Sequence, residues 1–179
     1  MSLSQFQWIR SGVAITAIAA SLGAGLALRA EDNRAPIVPA EIQVEEGNKV
    51  HFHGFAIGVQ IYTWNGATWG AAVPEATLYD TDGNVVAYHF AGPTWQSSSG
   101  SFVVGALPPK RVIVDTNSIP WLLLGVANAQ GPGIFADITF IHRVNTVGGN
   151  APSEPGAVVG QVARVPYTAD YFFYRKANN

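Results

Sequence analysis

Phe55-Ala-Ile-Gly-Val-Gln-Ile-Tyr-Thr-Trp64 and Asn84-Val-Val-Ala-Tyr-His-Phe90 are two apolar alternating runs. Between them lie Trp69, Pro74, Ala76 and the turn Asp82-Gly83, and the second run leads into Gly92-Pro93-Thr94-Trp95. A period of two in β-branched and aromatic residues, punctuated by Asn, Asp, Gly and Pro, is the pattern of strands and tight turns. In the first run Phe55, Ile57, Val59 and Ile61 share one face, opposite Ala56, Gly58, Gln60, Tyr62 and Trp64. The bulkier aliphatic set is the expected core face. Asn65-Gly66 is a tight-turn signal.

The rest of the chain adds strands to this unit. Glu41–Glu45 and Lys49–His53 alternate and read as short strands, with Gly54 a bulge or bend before the long run. Ala76–Tyr79 pairs with Val85–Phe90 as a hairpin. Ser101–Leu107 and Arg111–Val114 follow. Ile119–Val126 lacks alternation, so it reads as a strand buried on both faces or as a helical turn. Ile134–Val144 reads as one long strand, and Ala157–Val165 with Tyr167–Tyr174 closes the domain. The fold class is all-β: a single-domain antiparallel sandwich or barrel with little helix, over residues 41–176.

Composition narrows the classes. The chain has 179 residues, 48% hydrophobic and 12% charged, with no cysteine. Low charge with many aromatics argues against disorder. The missing cysteines exclude disulfides and thiolate chemistry. Arg10 followed by the apolar run Ser11–Leu28, with small residues near its end, has the form of a secretory signal. Residues 1–30 are thus expected to be a leader and 31–40 a linker, which places the mature protein in the periplasm or outside the cell with no membrane span after cleavage. An uncleaved anchor is the other reading of that run. Beyond residue 30, eight cations face twelve acids with no basic stripe, so nucleic acid is not an expected partner.

Several ordered patterns resemble a known family. They are Gly58-Val-Gln-Ile-Tyr-Thr63, Trp69 with Pro74-Glu-Ala76, His89-Phe-Ala-Gly-Pro-Thr-Trp95, and Gly100-Ser101 with Gly105. Ile119-Pro-Trp-Leu-Leu-Leu124, Arg143-Val-Asn-Thr-Val-Gly-Gly149 with Ala151-Pro152, and Val165-Pro-Tyr-Thr-Ala-Asp-Tyr-Phe-Phe-Tyr174 complete the set. Over residues 38–175 the chain resembles the domain-of-unknown-function 3455 family of small secreted bacterial and fungal proteins. The resemblance implies export and one domain but no activity. Family members often carry cysteine at the position of Trp64 and again near Ser153–Gly156; having neither is what would follow if one disulfide had been lost as a unit. His142 stands where glutamine is more usual.

Candidate chemistry is sparse. His51 and His53 lie two apart, so on a regular strand they point to one face. With His89 and Asp80 or Asp82 they would make a zinc, copper or iron site. The alternative is water-facing edge histidines and no cofactor. His89 beside Gly92-Pro93 is a candidate general base, or a structural ring bonded to a loop carbonyl. His142, in an apolar alternation, reads as a core histidine satisfied by the backbone. Ser97, Ser98 and Ser99 lack a nucleophile elbow. The aromatics suggest a groove near Trp69, His89, Trp95 and Trp121 for a small apolar or carbohydrate ligand. The leading expectation is therefore a non-enzymatic exported binding or envelope protein. The alternatives are a metal-binding protein or metalloenzyme using His51, His53 and His89, and a self-assembling surface protein using exposed strand edges.

Overall fold

A computed structural model describes residues 34–177; the expected leader lies outside them. Nine strands follow a single 3-10 turn at Ala40–Ile42: β1 Asn48–Thr63, β2 Val73–Tyr79, β3 Val85–Phe90, β4 Thr94–Ser97, β5 Phe102–Gly105, β6 Lys110–Val112, β7 Trp121–Gln130, β8 Phe140–Gly148 and β9 Val162–Lys176. All pairings are antiparallel, in the order β5-β4-β3-β2-β1-β9-β8-β7-β6. A further pairing of β5 with β7 closes eight of them into a barrel. Of sandwich and barrel, the chain therefore adopts the barrel. β7 makes closure possible by dividing its length: Val126–Gln130 pairs with β5 and Trp121–Leu123 with β6. Among the described residues no helix is long and apolar enough to cross a membrane.

The interior of the barrel is the reverse of the expected one at β1. Ala56, Gln60 and Tyr62 are buried, whereas Phe55 is 40% and Ile57 51% exposed. The cause is how the lumen is filled. β9 sends in Tyr167, Ala169, Tyr171 and Phe173, and β4 sends in Trp95. Where these rings crowd the lumen, β1 faces them with the small residues Ala56 and Gly58. At Gly58 a Cβ would collide with the Glu75 carbonyl and with Ala76. Aliphatic bulk was thus displaced to the outside, where Phe55, Ile57, Tyr88 and Phe90 remain partly exposed.

A second apolar cluster lies on the outside of β8 and β9. Val50, Val144, Phe172 and Tyr174 pack there with Trp121, Phe140 and two residues of the N-terminal segment, Val38 and Val44. This segment was expected to supply a strand at Glu41–Glu45. It forms the 3-10 turn instead, beside the terminal strand β6. His142 pins it: the imidazole donates from Nε2 to the Ile42 carbonyl (2.6 Å) and accepts at Nδ1 from the Tyr174 hydroxyl (2.9 Å). One neutral tautomer satisfies both bonds, and burial lowers its pKa.

Two other strand boundaries differ from expectation. β8 starts only at Phe140, because Asp137 takes φ 56° and the preceding loop folds inward to bury Phe135 and Ile138. β9 runs unbroken through Pro166, which stands one residue beyond the last β8 pair, Gly148 with Tyr167. The Asn65-Gly66 turn forms as expected: the Asn65 carboxamide oxygen accepts from the N–H of Ala67 and Thr68, and Trp64 bridges to Trp69.

Candidate ligand cavity

The β3–β4 hairpin builds the centre of the site. Gly92, at φ 98°, turns the chain, a conformation that side-chain-bearing residues resist. The turn places His89 directly opposite Trp95. Their rings stack at 4.1 Å and 3°, and the Tyr171 ring meets both edge-on at 5.3 Å. His89 Nδ1–H donates to the Thr94 carbonyl (2.9 Å). Burial pushes its pKa down to about 3, so the ring is neutral at pH 7 and Nε2 carries a lone pair.

His89, Trp95 and Tyr171 border a cavity of about 340 Å³ together with Gln60 from β1 and Arg143 from β8. The remaining wall is apolar, with Leu122 and Leu124 from β7. Its rim is made by Ala71–Pro74, Ala91–Pro93 and the β5–β6 connection at Leu107 and Pro109. This volume falls within the range of small-ligand pockets, about 300–1,000 Å³.

The polar groups on this wall are unevenly satisfied. Trp95 Nε1 is a buried N–H donor without a partner, Gln60 Nε2 lies against the Tyr167 hydroxyl, and neither atom reaches the cavity surface. A buried unpaired donor costs about 1–3 kcal/mol. Arg143 donates from Nε and Nη2 to the Pro120 carbonyl, at 3.3 and 2.9 Å. Among the described residues no carboxylate pairs with it. Its charge helps hold His89 neutral and opposes the burial that raises the Tyr167 and Tyr171 phenols.

The structure brings together two of the four residues expected to form a ligand groove. His89 and Trp95 share the cavity. Trp69 lies elsewhere, edge-on to Trp64 at 5.5 Å with its indole N–H on the Glu154 carbonyl (2.9 Å). Trp121 belongs to the outer cluster.

The three histidines considered for a metal are separated. A bulge between Val50 and Phe52 puts Val50 opposite Tyr174 and Phe52 opposite Phe173. His51 is the extra residue, so the two-residue rule does not hold across it. His53 lies on the outer side, stacked on Phe172 at 4.3 Å and bonded through Nε2 to Asp170 Oδ1 at 2.8 Å. His89 is inside. Among the described residues no group of three His, Asp or Glu side chains is placed to hold a metal ion.

Gln60, Arg143 and Tyr171 were not singled out from the sequence. The signal was available in one of them: Gln60 is a lone polar residue within the apolar run Phe55–Tyr62, and such a residue points either to water or to a built polar site.

A family model described as a protein of unknown function, DUF3455, matches residues 45–175. No curated protein and no solved structure matches the chain.

Proposed function

We propose that this chain, which belongs to the DUF3455 family of proteins of unknown function, is a binding protein that holds a small, mainly apolar molecule inside its barrel. The observation that carries this reading is a cavity of about 340 Å³ with a mainly apolar wall and one charged side chain, Arg143. Apolar wall supplies affinity, and a few placed polar groups supply orientation. A sugar is the weaker fit. Sugar recognition favours an open aromatic face, and the Trp95 ring is covered by His89 and edged by Tyr171 and Phe173. Binding is favoured over catalysis because burial makes His89 a weak base, and the described lining residues hold no serine, threonine or carboxylate to work with it.

Export to the periplasm or cell exterior is part of this proposal and rests on the leader pattern of residues 1–30. Mass spectrometry of the protein isolated from its native host would find the mature N-terminus near residue 28 or 31; an intact leader would refute cleavage. The binding reading is tested with octanol and other short apolar probes, read by tryptophan fluorescence and thermal shift. Saturable binding is expected, and the rim variant Val73→Trp should abolish it. Failure of every probe, or equal binding to the plugged variant, would sink the reading.

The outer face of β1 and β3 favours a second reading, association between copies. Phe55, Ile57, Tyr88 and Phe90 together leave an apolar patch in water. The closed barrel offers few free edges, so association would run through these side chains. Sedimentation should then show concentration-dependent oligomers that Ile57→Lys dissolves; a monomer at high concentration would remove this reading.

A further inference from the structure

We infer that the molecule held in the barrel carries a carboxylate, and that Arg143 is its counter-ion. This rests on the binding reading above and names the ligand's head group.

The inventory of the cavity wall leads there. Arg143, half-buried, is the one charged side chain among the described lining residues, set against rings, aliphatic side chains and Gln60. A cation partly withdrawn from water gains from an opposite charge placed beside it. Among the described residues no acid offsets it. The Pro120 carbonyl takes Nε and Nη2, which fixes the plane of the guanidinium but leaves its charge uncompensated. The wall therefore presents one cation with no acid beside it, and a carboxylate supplies what it lacks: one negative charge and two acceptor oxygens for the guanidinium.

Other head groups leave a deficit. An alcohol or amide can accept from a donor but leaves the guanidinium charge unpaired. An amine adds a second cation. A phosphate dianion brings more charge than one arginine neutralises, in a lumen with no second cation among the described lining residues. The apolar rim, Val73, Pro74, Leu107 and Pro109, would then cover the ligand's hydrocarbon part.

The test compares one chain with four heads: octanoate, octanol, octylamine and octyl phosphate, titrated into the folded protein at neutral pH by calorimetry. Octanoate is expected to bind at least tenfold tighter than octanol, with octylamine weakest. In Arg143→Met, which keeps the stem, octanoate should fall to within about threefold of octanol while octanol itself is unchanged. Circular dichroism and the thermal midpoint check folding. If Arg143→Met does not fold, Arg143→Gln replaces it, keeping a polar head without the charge; a several-fold loss for octanoate but not octanol is expected. Equal binding of octanoate and octanol to the unaltered protein would overturn the carboxylate inference and leave the apolar-binding reading standing. Tighter binding of octyl phosphate, or an octanoate preference that survives Arg143→Met, would also overturn it. Binding of none of the four would overturn both.

Discussion

Lowering the pH should destabilise the barrel through His89, and the size of the effect can be worked out. The free imidazole titrates at 6.5, and in the folded protein burial holds His89 at about 3. Between those values the unfolded chain binds more protons than the folded one. Stability therefore rises with pH across this window and is lost as pH falls below 6.5 toward 3. At pH 5 the unfolded ring is almost wholly protonated and the folded ring almost wholly neutral, which corresponds to a loss of about 2 kcal/mol relative to pH 8. The control is His89→Phe. It keeps an aromatic ring against Trp95 but loses the bond to the Thr94 carbonyl, a pH-independent cost of about 1–2 kcal/mol. Urea unfolding followed by tryptophan fluorescence at pH 8 and pH 5 gives both terms. The unaltered protein should lose about 2 kcal/mol more than the variant, or roughly 1 M in midpoint, so the two proteins converge near pH 5. His51 and His142, also lowered by burial, are present in both and cancel. Parallel losses in the two proteins would refute the reasoning, as would a His89 ring resonance titrating near 6.5.

Other expectations follow from particular contacts. His142→Phe should cost about 2–4 kcal/mol, since it strands the Ile42 carbonyl and the Tyr174 hydroxyl. Hydrogen exchange should then rise selectively over residues 38–44, and unchanged protection there would disprove the pinning role. Gly58→Val drives a side chain into the Glu75 backbone and Ala76; a loss of about 3 kcal/mol or more is expected, and an unaltered thermal midpoint would show that the lumen is looser than described. A Cβ at Gly156 would stand 2.7 Å from that of Trp64. Removing the tryptophan ring gives the backbone room to reach disulfide spacing, so Trp64→Cys with Gly156→Cys should oxidise in air. The closed loop would contribute up to about 4–5 kcal/mol against the lost ring packing, and thiols that remain free after oxidation would count against the geometry.

The sequence made the strands legible because a two-residue period is a local property. The turns at Asn65-Gly66 and Asp82-Gly83 were legible for the same reason. Which face of β1 turns inward was not local. Phe55, Ile57, Val59 and Ile61 carry the apolar bulk, and the choice against them was made by Tyr167, Tyr171 and Phe173, more than a hundred residues away, which already fill the lumen. The bulge at His51 was equally hidden, since nothing in Lys49–His53 marks the extra residue. Of the four residues expected to form a groove, His89 and Trp95 share one cavity, because the Gly92-Pro93 turn sits between them and brings them opposite. Arg143 and Gln60 join them only through the β8–β9–β1 neighbourhood, which no short stretch encodes.

Fifteen residue pairs join β1 to β9, against four pairs joining β5 to β7. The longest seam of the barrel thus depends on the two strands that lie farthest apart along the chain. While the ribosome is still making residues 162–176, β1 has no partner on that side, and the lumen has neither Tyr167, Tyr171 nor Phe173 to fill it. Closure must wait for the ninth strand, and a topology so dominated by distant pairings closes slowly. Until that strand arrives, the residues that line the lumen have no partners to complete the core.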